Sequence, residues 1–415
     1  MVNRKQDRNR IFGTDLWATI VAYAFAFLLI VFATQSHAQT FTVLHAFGNG
    51  QDGFAPFAGL TMDAAGNLYG TTRYGGGSDN GTVFKLAPKG AGWLYSAIHV
   101  FNGSDGALPT AALVFGRDGI LYGTTTFGGS GGEGTVFNLR PQPRACATAL
   151  CPWVATVLHN FYGTDGFYPL NIAFDQAGNL YGVTADGGYS NAGVIFELTP
   201  SSGSWTFNML SDFAGSQVSN PNGVIPDPDG NLYGSAFGPY PGVVFELTNA
   251  GEMQVLFNFT FSPETGIDPN SGLIFDNQGN LYGQTLFEGP GGAGGTVFEL
   301  SPSNGSWTLN TLHGFPGIIN NGAVAAPSLM MDAQGNIYGT TPWNGAHDYG
   351  EIFKLTPSGG GWTYTDLYDF TGASDGCYPW SNVVMDSKGN LYGTASSCGE
   401  YGQFGDGGVV WEITP

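Results

Sequence analysis

Apolar and polar residues alternate in short stretches along most of the chain. Trp205-Thr-Phe-Asn-Met209 and Trp307-Thr-Leu-Asn310 place apolar side chains at every second position. That is the period of a half-buried β-strand, not the period of about 3.6 residues that marks a helix face. Gly, Asn, Asp and Pro, which favour turns, punctuate the stretches. Four kinds of segment return in a fixed order. The first is a short apolar run closed by a turn, as in Leu60-Thr61-Met62-Asp63 followed by Ala-Ala-Gly66-Asn67. It is repeated at Asp175 to Asn179, Asp276 to Asn280, Asp332 to Asn336 and Asp386 to Asn390. The second is Leu/Ile-Tyr-Gly, the third is Gly-Thr-Val-Phe-x-Leu as at Gly81 to Leu86, and the fourth is a strand such as Trp93 to Phe101.

The Leu/Ile-Tyr-Gly element occurs seven times, centred on Tyr69, Tyr122, Tyr181, Tyr233, Tyr282, Tyr338 and Tyr392, about 54 residues apart. Four strands per unit, seven units and no helical period predict an all-β fold, a seven-bladed β-propeller of four-stranded blades. The seventh copy ends at Glu412-Ile413-Thr414-Pro415 and lacks a fourth strand, while Phe41 to Phe47 precedes the first copy. That orphan segment ends in the same Leu-His-x-Phe as Leu158 to Phe161 and Leu312 to Phe315. The N-terminal strand is therefore expected to complete the last blade and close the ring, leaving no exposed sheet edge. An open β-solenoid would need no such complement.

Residues 1–10 carry Arg4, Lys5, Arg8 and Arg10, an apolar run spans Leu16 to Ala33, and Ser36-His37-Ala38 offers small residues at a cleavage site. This predicts a signal peptide over 1–38, a propeller over 39–415 and a secreted, periplasmic or cell-surface location. An uncleaved N-terminal anchor is the other reading. No later stretch is apolar enough to span a membrane, and no hydrophobic or basic tail precedes Pro415, so no C-terminal anchor is expected. Lys+Arg number 12 against 32 Asp+Glu, a net charge of −20. Removing residues 1–38 takes away four cations and two acids, Asp7 and Asp15, and leaves −22. So acidic a chain repels phosphate backbones, which excludes nucleic acid as a partner. The 67 Gly follow no three-residue period and aromatics make up 14%, which excludes collagen and disordered linkers. The four cysteines suit an oxidising compartment, and Cys146 with Cys151 and Cys377 with Cys398 are predicted as two structural disulfides. Reading Cys146 and Cys151 as a metal site would need a second pair of ligands nearby, and the sequence offers none.

The units Gly-Asn-Leu-Tyr-Gly-Thr-Thr, Gly-Gly and Gly-Thr-Val-Phe-x-Leu, clearest at 66–86 and 278–300, resemble the GloVer tandem repeat of exported bacterial proteins. The resemblance spans residues 40–415. It implies a secreted, propeller-like repeat protein and assigns no activity, cofactor or catalytic residue. Relatives often carry C-terminal sorting or anchoring tails, which this sequence does not show.

Strand direction alternates through a blade, so the loops after Leu-Tyr-Gly and the connections into each first strand share one face. That face is long-looped and glycine-rich. It carries Tyr74, Phe127, Tyr189, Phe237, Phe287, Trp343 and Tyr401, aromatics suited to stacking on sugar rings or, alternatively, to wedging blade against blade. Asp52, Asp105, Asp165 and Asp375 fall in loops of the same face that run from Phe to Asp-Gly, as Phe-x-Gly-x-Asp-Gly at Asp105 and Asp165 and one residue longer at Asp52 and Asp375. They could hold a cation or a polyhydroxyl ligand, or each could cap its own turn. His45, His99, His159 and His313 repeat in the fourth strand and read as scaffold. His347, beside Asp348 and Trp343, is non-repetitive and is the one candidate for acid–base chemistry. No nucleophile motif accompanies it. No metal, cofactor or catalytic residue is expected.

These features point to an exported binding module, a monomer, whose loop-rich face takes a glycan or another extracellular polymer or protein. A propeller enzyme of the polysaccharide lyase or glycoside hydrolase kind, and a structural envelope or matrix protein, are the alternatives.

Overall fold

The computed structural model describes residues 39–48, 50–142, 153–213, 218–290, 292, 294–303, 305–316, 329–402 and 406–415. The expected leader over 1–38 and the expected Cys146–Cys151 pair lie outside them. The described chain forms seven four-stranded antiparallel sheets, the blades of a propeller, with no helix among the described residues. Blade one comprises Thr61–Met62, Leu68–Thr72, Thr82–Lys89 and Gly92–Val100. Blades two to six begin at Val114–Phe115, Phe167–Phe174, Ser219–Pro226, Ile274–Phe275 and Met330–Met331. Blade seven takes Val384–Met385, Leu391–Ala395 and Val409–Thr414, and its fourth strand is Thr40–Ala46, as the sequence predicts.

The repeated residues have identifiable work. Gly70 of Leu-Tyr-Gly lies opposite Phe84 on the next strand, and a Cβ there would come within 2.6 Å of the Phe84 ring and 2.9 Å of Leu60. The glycine is thus required by close approach, and each blade repeats the arrangement, with Trp411 over Gly393 in blade seven. Val83 and Phe84 face opposite sides of their sheet, as strand alternation requires. Accordingly Val83 packs with Tyr69, Leu113, Leu121 and Phe137 towards blade two, and Phe84 packs with Phe47, Tyr392 and Val410 towards blade seven. Burial is therefore shared between neighbouring blades, so no blade has a complete core alone.

Each Asp-x-x-Gly-Asn turn is a carboxylate cage. Asp332 accepts hydrogen bonds from the amides of Gln334 (2.9 Å) and Asn336 (2.9 Å), from Asn336 Nδ2 (2.7 Å) and from Tyr338 Oη (3.2 Å). The cage ties the turn to the tyrosine of Leu-Tyr-Gly. In blade two, which lacks the first Asp, Asp118 takes over and binds Ile120 N and Tyr122 Oη, both at 3.0 Å. Asp332→Ala is expected to cost about 2 kcal/mol, since the donors to a charged acceptor lose it together; urea unfolding of the variant measures this.

Cys377 and Cys398 form a disulfide across a separation of 21 residues, joining the entry of blade seven to the loop after its Leu-Tyr-Gly strand. No helix among the described residues is long and apolar enough to cross a membrane.

Candidate functional site

At the entry of blades one to five and seven, just before the first strand or at its start, a residue of positive φ precedes proline: Ala55, Leu108, Tyr168, Asn220, Asp268 and Tyr378, with φ between 51° and 60°. Non-glycine residues adopt that region at a cost and need surrounding structure to hold them there. Here the amides of Ala55, Leu108, Asn220, Asp268 and Tyr378 each donate to a carbonyl of the preceding blade, for instance Ala55 N to Gly407 O at 2.7 Å and Leu108 N to Asn80 O at 2.9 Å. The proline then lies against a glycine of that same blade. A Cβ on Gly408 would sit 2.4 Å from Pro56 Cδ, and one on Gly81 would sit 2.8 Å from Pro109 Cδ. The following residues, Phe57, Thr110, Leu170, Asn222, Asn270 and Trp380, are thereby presented to the axis.

Together with Arg73, Thr126, Tyr168, Asn171, Ala185 and Asn382 they line an axial funnel of about 620 Å³. Among the described residues no Asp or Glu lines it. The Arg73 guanidinium stands 5.3 Å over the Phe57 ring and 5.3 Å over the Tyr74 ring. Its buried Nε has no hydrogen-bond partner, and neither has the buried Oδ1 of Asn382. The funnel therefore pairs carboxamides and aromatic rings with one unneutralised cation.

The aromatics singled out from the sequence divide into two sets. Tyr74 stacks on Phe54 with centroids 5.3 Å apart, Phe127 meets Tyr168 at 4.7 Å, and Trp343 meets Trp380 edge to face at 4.8 Å. Phe287 is half-buried, its backbone bridged to Ile267. These four support the funnel wall and the blade contacts. Tyr189 is 80% exposed, Tyr401 65% and Phe237 39%, and three residues outside the sequence candidates join them, Tyr162 at 60%, Tyr240 at 54% and Phe261 at 64%. The Phe237, Tyr240 and Phe261 rings form a continuous run, with centroids 5.5 Å and 5.3 Å apart.

The loop carboxylates are engaged locally. Asp105 accepts from His99 Nε2 (3.0 Å) and Asn102 N (3.0 Å), and Asp165 from His159 Nε2 (2.9 Å) and Tyr162 N (2.7 Å). Asp52 accepts from Gly48 N at 3.4 Å and lies 3.4 Å from His45 Nε2. Asp375 takes bonds from Tyr368 Oη (2.9 Å) and Thr371 N (2.8 Å), with Tyr368 in the histidine's place. Burial alone would raise the Asp105 and Asp165 carboxyls, but the histidine and amide donors hold both below the usual range. In blades one, two, six and seven a histidine or tyrosine and a loop aspartate thus clamp the fourth strand to the entry of the next blade. His347 and Asp348 are exposed at a loop tip.

Comparison with curated proteins finds no match. Among solved structures, a streptogramin B lyase superposes with TM-score 0.57 at 11% identity, covering 91% of this chain and 97% of that one. A catalytically inactive virginiamycin B lyase from Staphylococcus aureus with quinupristin gives 0.55 at 12%, covering 91% and 100%. An ulvan lyase of a new polysaccharide lyase family, bound to -[GlcA(1-4)Rha3S]-, gives 0.54 at 12%, covering 90% and 95%. At such identities the likeness is one of fold. The sequence itself matches the Gloeobacter/Verrucomicrobia repeat over residues 29–240 and 237–415, and the chain belongs to that family.

Proposed function

We propose that the chain is an exported binding module that holds a saccharide on its loop-rich face. The observation that carries this reading is the placement of exposed rings. Tyr162, Tyr189, Phe237, Tyr240, Phe261 and Tyr401 are the aromatics among the large exposed hydrophobics, and all six lie in or at the edge of loops on that one face. Solvent-exposed rings gathered on one side of a scaffold offer flat apolar platforms with polar edges, which suit the C–H faces of sugar rings. The disulfide and the family of exported proteins support an extracytoplasmic location. The fold neighbour bound to a saccharide is consistent with this reading, which rests on the rings themselves.

Screening the purified chain on a glycan array tests the proposal. Tyr240→Ala and Phe261→Ala are each expected to weaken the strongest interaction about tenfold without altering the unfolding transition, because neither ring belongs to a core cluster. Silence across the array from a folded chain would overturn it.

A further inference from the structure

We infer that the axial funnel selects acidic saccharides, with the carboxylate or sulfate of one sugar seated on Arg73. The inference rests on the saccharide reading and adds the chemical class of the ligand and the residue that recognises it.

Three observations converge on Arg73. The first is that the repeat does not need a cation there. Equivalent positions after the other Leu/Ile-Tyr-Gly strands hold Thr126, Ala185, Phe237, Leu286, Pro342 and Ser396, none of them charged, and those blades are built on the same register. The second is that the guanidinium is held in place without being neutralised. Two rings flank it at 5.3 Å, its buried Nε lacks an acceptor, and the funnel wall contains no carboxylate. Among the described residues, none of the acids lines this wall. A planar guanidinium presents N–H donors that match a carboxylate or sulfate supplied from outside. The third is the rest of the wall. Asn222, Asn270 and Asn382 offer carboxamides, the last with an unpartnered Oδ1, and Trp380 and Tyr168 offer rings. Carboxamides for hydroxyls and rings for a pyranose face complete the complement of a charged sugar.

Global electrostatics sharpens the test. At a net charge of −20 the protein repels anions at long range, so any preference for an acidic sugar over its neutral form has to arise from local contact.

The experiment is calorimetric titration of the purified chain with oligogalacturonate, with its fully methyl-esterified form, and with a sulfated and a desulfated galactan oligomer. The acidic member of at least one pair is expected to bind at least tenfold tighter than its neutral partner, and the pair that shows the difference identifies the acid group. Arg73→Gln is expected to abolish that ratio in a chain that still folds, and Arg73→Lys to restore part of it. If neutral oligomers bind as tightly as acidic ones, or if Arg73→Gln preserves the preference, this inference falls and the saccharide reading stands. If a folded chain binds none of the four oligomers and is silent on the glycan array, both fall.

Discussion

A chain truncated to begin at Gly48 is expected to lose the cooperative unfolding transition of the full protein and to aggregate, although it retains every residue of six blades. Thr40–Ala46 is the outer strand of blade seven, paired with Val409–Thr414, and without it that strand presents an unpaired edge. The loss extends beyond one strand. Phe47 is fully buried among Leu60, Leu68, Phe84, Tyr392 and Val410, a cluster that belongs half to blade one and half to blade seven. Its amide donates to Gly408 O at 2.9 Å. Phe41 stacks on Tyr368 of blade six at 3.8 Å. Phe47→Ala alone is expected to cost about 3–5 kcal/mol, the usual range for emptying a buried phenylalanine site. Thermal unfolding and size-exclusion chromatography of the truncated chain make the measurement, and a synthetic peptide of residues 39–47 added in trans is expected to restore part of the transition. A truncated chain that stays monomeric and melts within a few degrees of the full protein would show that the ring is held by the remaining contacts between blades one and seven, such as Thr394 Oγ1 to Pro56 O at 2.9 Å.

The ring was legible in the sequence because its physics repeats. A glycine under a phenylalanine and an aspartate caging a tyrosine must recur wherever a blade recurs, so Leu-Tyr-Gly and Asp-x-x-Gly-Asn announce themselves by period. Closure was legible for the same reason: one unit lacked a strand and the N-terminus held a matching one. The funnel was not legible from period because its lining obeys the opposite rule. Phe57, Thr110, Leu170, Asn222, Asn270 and Trp380 occupy equivalent places and follow no single side-chain type, and the residues that aim them inward do so through a left-handed backbone that no alternation pattern encodes. A signal was nonetheless present. The position after each proline and the position of Arg73 vary most where their flanks vary least, and in a repeat protein such columns are the ones freed from the scaffold. Trp343, one of the seven aromatics of the looped face, packs its ring on Trp380, while Tyr240 and Phe261 lie in connections of irregular length that carry no repeat signal.

The second large effect is expected from Glu351→Gln, which should stabilise the protein at pH 8 and bring no gain at pH 5. In blades one, two and five the third strand opens with a threonine bonded to the second strand, Thr82 to Thr72, Thr135 to Thr125 and Thr296 to Thr285, each at 2.9 Å. Blade six places Glu351 there instead. It is 6% exposed, and both its Oε1 and Thr341 Oγ1 are buried without a partner. Burial pushes the carboxyl up to about 7, Asp366 and Asp369 add to the shift, and Tyr364 offsets part of it. The unfolded chain ionises this group near 4.5. Between those values the folded state holds the extra proton, so stability falls as pH rises from about 4.5 to about 7 and is level beyond, a loss of about 3 kcal/mol. Asp268, 2% exposed and pushed up to about 6 by burial, adds to the same slope. The caged and clamped aspartates act with the opposite sign. Asp63, Asp276, Asp332, Asp105 and Asp165 are held below the ordinary aspartate range by their hydrogen-bond donors, so the stability they confer is present above that range and is lost as pH falls through their lowered range. The wild-type protein is therefore expected to be most stable near pH 5. Glu351→Gln should remove most of the decline on the alkaline side and leave the acid limb untouched. Urea unfolding of both proteins at pH 3, 5 and 8 decides it: parallel pH profiles for variant and wild type would show that the Glu351 carboxylate is solvated in the folded state and that blade six does not carry a buried charge.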